Sequence, residues 1–340
     1  MRARSLLVGL LLAGAGLGPA FAGDLSLVVT EENDCFTSPF HNHTDRHYTQ
    51  GLRFALLAGE LQFTRTTGWL DQHLPRLGLQ PQRVHFGLVL LAQHISTPGS
   101  IDQADPILDD RPYAGWLYSG LIFQRAGLTD GGVPTFENWE LDLGMTGPPS
   151  LAEQAQSEVH RIRFPDNLPL GWNNQLPFEP GCELKYDRRW RLSLVTEASR
   201  WLDIIPHVGA SLGNIRVHAN AGIVARIGWN LPDDYGPSFL ESTLSPAPPP
   251  ANLLPFGFYL LAGVEGRAIA RDLFLDGSTF QGSLRVDKNP LVGDLLLGVG
   301  VTLFRNLALS YTYIIRTEQF RDQVGPDHFA SLNASATFVF

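Results

Sequence analysis

The sequence predicts an all-β chain folded as a transmembrane antiparallel β-barrel of about 12 strands, with a short helix in an outer loop. Three observations carry that expectation: an export-like first segment, period-two alternation that recurs along the chain, and an aromatic end at Phe340. Composition narrows the rest. Of 340 residues, 44% are hydrophobic and 17% charged, too apolar for a disordered chain. Two cysteines cannot staple a small secreted scaffold. A formal charge of -9 argues against a nucleic-acid partner held by a general basic field. After the first segment, no stretch reaches the ~18 uninterrupted apolar residues that a membrane helix needs.

Arg2 and Arg4 form a positive head, Leu6 to Gly18 is apolar, and Ala20-Phe21-Ala22 supplies the small-x-small pattern of a secretory cleavage site. Residues 1–22 therefore read as a signal peptide and 23–340 as one outer-membrane barrel domain. Export leads to an oxidising compartment, where Cys35 and Cys182 can form a disulfide or stay as two thiols.

Strands are expected at 24–33, 46–59, 84–94, 112–125, 136–146, 181–197, 203–213, 216–229, 256–270, 291–304, 307–317 and 328–340. In the second, Tyr48, Leu52, Phe54 and Leu56 oppose His47, Thr49, Gly51, Arg53 and Ala55. In the fifth, Trp139, Leu141, Leu143 and Met145 oppose Glu140, Asp142 and Gly144. The eleventh sets Leu307, Leu309, Tyr311, Tyr313 and Ile315 against Ala308, Ser310, Thr312 and Arg316. The last sets Ala330, Leu332, Ala334, Ala336 and Phe338 against Ser331, Asn333, Ser335 and Thr337. A closed barrel places the apolar rows against acyl chains and the polar rows in the lumen, with no unpaired edge in lipid. The Pro-rich stretch 231–255 is a loop. Strict parity puts it on the periplasmic side, where turns are usually short, so one strand in that half is expected to be miscounted.

One helix interrupts the pattern. Pro148 and Pro149 end the fifth strand, Ser150 with Glu153 reads as a capping box, and the segment to about Arg163 is helix-compatible. Gln156 and His160, spaced i and i+4, share a face of it.

Dense polar motifs occupy three connections. The first is Glu32-Asn33-Asp34 with Thr44-Asp45-Arg46-His47-Tyr48-Thr49-Gln50-Gly51, and the second is Asp109-Asp110-Arg111-Pro112-Tyr113-Ala114-Gly115-Trp116. The third holds Gln156, His160 and Gly171-Trp172-Asn173-Asn174-Gln175-Leu176. Because strands alternate direction, all three lie at one mouth, the outer one if the N-terminus is periplasmic. Asp34 and His160 are thereby expected to meet. An imidazole near its ordinary pKa can take a proton from water, and a carboxylate with amide and carbonyl oxygens can hold a hard cation such as Ca²⁺. No close His/Cys pair has zinc-site spacing. Taken singly, His160 also reads as a solvated histidine, and Asn33-Asp34 and Asp45-Arg46 as turn signals.

Taken together, Asn33-Asp34-x-Phe36, Asp45-Arg46-x-Tyr48-Thr49-x-Gly51, Asp110-Arg111-Pro112-Tyr113-Ala114-Gly115-Trp116, Ala155-Gln156-x-x-Val159-His160, Gly171-Trp172-x-x-Gln175-Leu176 and Gly228-Trp229-Asn230-Leu231-Pro232 resemble the outer-membrane lipid A 3′-O-deacylases (LpxR type). The resemblance spans nearly all of the chain after residue 22. It implies a twelve-stranded barrel in the bacterial outer membrane and Ca²⁺-dependent hydrolysis of the 3′-linked acyloxyacyl ester. Lipid A or lipopolysaccharide would be the substrate, outer-membrane lipids the surroundings and a monomer the working form. The implied base is His160 and the implied metal ligand Asp34, with Asn33, Thr49 and Gln156 supporting metal, substrate or oxyanion. Asp166 is a candidate acidic partner for the imidazole. Arg46, Arg111, Arg161, Arg163 and Lys185 either pair with lipid A phosphates at the rim or balance nearby acids. A departure from the family pattern is Cys35 with Cys182, whose bridge would tie the two halves of the site together.

Two other readings compete. His94 and Ser96, two apart on one strand face, suit an outer-membrane phospholipase with a serine nucleophile, although the chain continues Thr97-Pro98-Gly99. A non-catalytic porin is the third, opposed by bulky inward residues such as Leu296 and Ile314.

Overall fold

The computed structural model describes residues 24–37, 45–59, 64–193, 201–247 and 255–339. The expected signal peptide and Phe340 lie outside them. Twelve long strands run through the described residues: β1 Asp24–Asn33, β2 His47–Gly59, β3 Leu79–Thr97, β4 Ala114–Thr129, β5 Pro134–Thr146 and β6 Pro180–Trp190, then β7 Leu202–Gly213, β8 Arg216–Trp229, β9 Phe256–Asp272, β10 Leu291–Leu303, β11 Leu307–Arg316 and β12 Asp327–Val339. Each pairs antiparallel with its neighbours in sequence. The ring closes where β1 meets β12, from Asp24 against Val339 to Asn33 against Ala330. On the other side, β6 meets β7 from Glu183 against Gly213 to Arg189 against His207, and a two-residue ladder, Leu192–Ser193, prolongs the β7 pairing. Closure satisfies every edge, which a lipid environment demands.

The alternation read from the sequence is the inside–outside pattern of this wall. On β9, Phe256, Phe258, Leu260 and Val264 are exposed while Tyr259, Leu261, Glu265 and Arg267 are buried. On β5, Leu143 and Met145 face out and Glu140 and Asp142 face in. Tyr48 is a correction. Its partner is Ser96, yet the next pair is Gln50 with Ile95, so Thr49 is an extra residue in a bulge. The bulge turns Tyr48 into the lumen, where its hydroxyl donates to Glu32 Oε2 (2.7 Å).

The lumen is filled by paired charges. Arg226 meets Asp203 (2.7 Å), Arg316 meets Asp294 (2.9 Å) and Arg125 meets Glu137. Burying such groups unpaired would cost several kcal/mol per ion, roughly. The segment after β8 completes the filling. Phe239, Leu240, Glu241 and Leu244 are buried. The Leu240 N–H donates to Glu32 Oε1 (2.9 Å), Ser242 Oγ to Glu265 Oε2 (2.8 Å) and Thr243 Oγ1 to Asn220 Oδ1 (2.9 Å). Glu241 lies between Arg216 and Arg316. The expected strand miscount is thus overturned. The Pro-rich connection is long at that mouth because it folds back inside as a plug, and the strand count stands. Cavities beside the plug measure about 60 and 10 Å³.

Among the described residues three α-helices lie in the connections: α1 Thr64–His73, α2 Ala152–Arg163 and α3 Leu273–Asp276. No described helix is long and apolar enough to cross a membrane. Helix α2 stands where it was expected, but the capping box does not form. Leu151, in the left-handed region at φ 59°, is the N-cap without a side-chain bond. Ser150 instead donates back to the Gly147 carbonyl (2.6 Å).

Candidate functional site

The site begins where β1 runs out. Asn33 accepts the Cys35 N–H (2.8 Å), an Asx turn that starts the one-turn 3₁₀ helix Asp34–Thr37. Asp34 is carried inward and buried. Its Oδ2 accepts the N–H of Arg46 from the far end of the same connection (3.0 Å). Asp45 and His47 sit at φ 47° and 61°, a region that non-glycine residues occupy only when surroundings hold them there. Here the holding groups are visible. The Asp45 carbonyl accepts from Thr97 Oγ1 (2.8 Å), which is 2.7 Å from the hydroxyl of Thr49 at the bulge. His47 Nδ1 is 2.6 Å from Asp327 and Nε2 is 3.3 Å from Asp110, so three connections meet on one ring. Burial works against the charge of Asp110, but its bond to His47 holds the carboxyl below its ordinary value.

Helix α2 delivers the opposing half. Gly115 lets it lie against β4, since a Cβ there would fall 2.3 Å from that of Ala152. Gln156 and His160, one turn apart, are both buried on the face towards the barrel. Gln156 Oε1 accepts from Trp172 Nε1 (2.8 Å), and its amide nitrogen reaches Asp45 Oδ1 at 3.4 Å. His160 Nε2 is 3.0 Å from Asp45 Oδ2, while Nδ1 bonds the Asn167 carbonyl. With acceptors at both nitrogens the imidazole is oriented from two sides. Burial alone would lower its pKa, but the bond to Asp45 and the charges of Asp45 and Asp34 raise it overall. Asp34 is pushed up to about 8, first by burial and then by the charge of Asp45.

That crowding bears on a cation. Among the described residues no three His, Cys, Asp or Glu side chains are gathered as a metal cluster. Asp34 is nevertheless a buried carboxylate facing other carboxylates, with backbone N–H bonds as its compensation. A hard cation taking its other ligands from carbonyl, amide or water oxygens suits such a place.

The sequence model of the family described as "Outer membrane protein LpxR" matches residues 6–338. The chain belongs to the LpxR family. Among solved structures it is similar to LpxR from Salmonella typhimurium, at 21% identity and a TM-score of 0.68, covering 93% of this chain and 100% of that one. The β domain of the Bordetella autotransporter BrkA follows at 13% identity and a TM-score of 0.43, covering 94% and 99%. The transport unit of the autotransporter AIDA-I from Escherichia coli stands at 10% and 0.37, covering 95% and 92%. No curated protein matches. As an LpxR-family barrel, the chain is an outer-membrane protein.

Within this LpxR-family site, Gln156 and His160 meet Asp45, Thr49 reaches the Asp45 carbonyl through Thr97, and Asn33 precedes Asp34, which bonds the Arg46 N–H next to Asp45. Other expected residues lie elsewhere. Asp166 is exposed, and the imidazole takes its partners from Asp45 and Asn167 instead. Lys185 is in the lumen, not at the rim: it faces inward on β6, bonded to Asp142 (2.7 Å) and Glu140 (3.3 Å). Arg111 is also buried, donating to Gln319 Oε1 (3.1 Å). Arg46 is half-buried against Asp327 and the Val324 carbonyl. Arg161 and Arg163 are exposed, the former paired with Glu158. Cys35 and Cys182 are both free, because Cys182 faces outward on the β6 wall while Cys35 lies half-buried beside Asp34. Burial and Asp34 push the Cys35 thiol up to about 11.

Asp45, His47, Asp110 and Asp327, whose contacts hold these turns and the His160 ring, are not among the site residues the sequence singles out. Asp45-Arg46 was legible as a turn, and a carboxylate in a turn opposite a helix-borne histidine was the available signal.

The competing serine site has suggestive geometry. Ser96 Oγ is 2.7 Å from His94 Nε2, and His94 Nδ1 is 3.1 Å from Glu241. All three are buried, with Ser96 at 0% exposure, and the His94 ring is covered by Tyr48 and Phe274. No ester reaches that oxygen; the trio anchors the plug.

Proposed function

We propose that this LpxR-family barrel hydrolyses the 3′-linked acyl ester of lipid A at the outer rim of its wall, with His160 as general base. The observation that carries this reading is the imidazole of His160 held on Asp45 beside the buried carboxylate of Asp34. Loop lengths favour the outer assignment. At the site's mouth the connections 34–46, 98–113, 147–179, 273–290 and 317–326 are long and 214–215 is tight, whereas the other mouth has the tight turns 130–133 and 304–306 beside 60–78 and the plug-bearing 230–255. A lumen occupied by the plug disfavours a pore.

A water bridging His160 Nε2 and Asp45 Oδ2 gives its proton to the free-base Nε2 as its oxygen attacks the ester carbonyl carbon. The imidazolium that forms is stabilised by the Asp45 carboxylate and the Asn167 carbonyl. When the tetrahedral intermediate collapses, the C–O bond to the sugar breaks and the departing 3′ oxygen takes the proton back from His160. The products are a free acyl chain as its acid and a 3′-hydroxyl. Asp34 would hold Ca²⁺, which when bound would supply positive charge to the carbonyl oxygen as negative charge develops. Gln156, fixed by Trp172, positions Asp45. Arg46, Arg161 and Arg163 remain candidates for the substrate phosphates.

Mass spectrometry of lipid A from cells with and without this chain tests the reading. Loss of the 3′ acyl group that disappears with His160→Ala supports it. Unchanged lipid A in cells carrying well-folded wild-type barrel would refute it.

A further inference from the structure

The outer wall beneath Asn33 is not smooth. A trough of about 440 Å³ lies across β1, β12, β11 and β10, with Val29, Leu309, Val301, Leu332 and Ala334 among its lining. Strand register explains it. Val29 pairs with Ala334, Ala334 with Leu309, and Leu309 with Val301, so these four outward side chains form one lateral row with an alanine in it. The row above runs Glu31, Leu332, Tyr311, Val299, and the next brings Asn33 against Ala330. Ala334 is the low point between valine and leucine, so the trough follows β12.

Its upper end meets the site. Ala334 stands four residues from Ala330, about 14 Å along a strand, and Ala330 faces Asn33, the neighbour of Asp34. Tyr311, on the trough wall, donates its hydroxyl to the Phe36 carbonyl in the turn that carries Asp34 (3.0 Å). Glu31 and Gln50, bonded at 3.2 Å, mark the polar end of an otherwise apolar channel. An ester held at Asp34 and His160 has its chain directed down the wall towards the membrane interior, and the wall directly below is this trough.

We propose that the trough over β12 seats the acyl chain of the ester being cleaved, and that Ala334 sets how long or bulky a chain is accepted. This rests on the hydrolytic reading above. Its volume is in the range of ~300–1,000 Å³ that ligand clefts occupy.

The decisive experiment needs no turnover. The wild-type barrel in outer-membrane-lipid vesicles is irradiated with a lipid A analogue whose 3′ ester is an amide and whose 3′ chain carries a diazirine. Label concentrated on residues 24–33, 291–303, 307–316 and 327–339 is the expected result, and label spread evenly round all strands overturns the trough. If the label concentrates there but the natural ester survives, the hydrolytic reading falls and the trough stands. Hydrolysis with scattered label does the reverse. In parallel, Ala334→Phe is compared with Ala221→Phe, an outward alanine on β8. The ratio of long-chain to short-chain ester turnover should fall at least tenfold in the first and stay constant in the second. An unchanged ratio in a heat-modifiable, correctly inserted Ala334→Phe barrel removes Ala334 as the selector. If that variant does not insert, Ala334→Val is read in the same way.

Discussion

His160 Nε2 and Asp45 Oδ2 stand 3.0 Å apart, joining a loop helix to a turn at the start of β2. The sign of the resulting pH dependence follows directly. Asp45 favours the imidazolium, so the folded pKa of His160 is raised above 6.5 and the free base appears only as pH climbs through that raised value. The acid limb of kcat against pH should therefore lie above the ordinary histidine value. Asp45→Asn should move it to lower pH while slowing turnover, and His160→Ala should cost on the order of 10²–10⁴-fold. A limb that stays put in Asp45→Asn would show that another group titrates.

Asp34 carries the second prediction. A buried carboxylate pushed up to about 8 is a place where added positive charge is welcome. Ca²⁺ should raise the unfolding temperature of the wild type and leave that of Asp34→Asn unmoved. At a hundredfold excess over Kd the gain should be about 2.7 kcal/mol, from mass action alone. Chelation should stop hydrolysis, and hydrolysis that persists in excess chelator removes the cation from the chemistry.

Much of this molecule was legible because lipid imposes a simple rule on a strand: apolar side chains out, polar ones in. That rule places Leu143 against Asp142 and Phe258 against Tyr259 without further information. It also could have placed Lys185, which alternates with Leu184 in the inward row of Glu183 and Asp187; its charge suggested the rim, but its facing decides. What alternation cannot show is a register slip such as the bulge at Thr49, which reverses Tyr48, or a loop that finds its partners inside the ring. Proline spacing in 231–255 announces a loop, but the partners of Glu241 come from β3, β8 and β11, far away in sequence. Parity of strand direction is what brings Asp34 and His160 to one mouth, while Asn33, Thr49 and Gln156 came with the LpxR-type motifs. Asp45 was hidden because a turn and an electrostatic partner for histidine look the same in one dimension.

The cysteines give a third prediction. Cys182 faces outward and Cys35 is half-buried beside Asp34, so the two are free. Alkylation of the unfolded chain without reductant should add two labels by mass. In the folded barrel Cys35 should react slowly, since a thiol pushed up to about 11 is almost wholly protonated at neutral pH. A mass two hydrogens lighter and no label would establish a bridge instead.

The plug makes the fourth. Glu241 meets Arg316 at 2.8 Å, lies against Arg216, and accepts from His94 at 3.1 Å, while its carbonyl accepts from Arg267 Nη1 (2.6 Å). Removing its charge takes the close carboxylate from buried Arg216, which keeps only Glu183 at 4.0 Å, and one of two from Arg316, which keeps Asp294; breaking a buried pair typically costs ~3–5 kcal/mol. Glu241→Gln should therefore lower the temperature at which the barrel loses its heat-modifiable mobility, and Glu241→Ala should lower it further. The same contacts make the plug a seal. The wild type should be silent in planar bilayers, and deleting residues 238–245 should give measurable single-channel conductance with the twelve-stranded wall retained. Conductance in the wild type would show that the plug leaves the lumen, since its side chains and an aqueous path cannot occupy that space together.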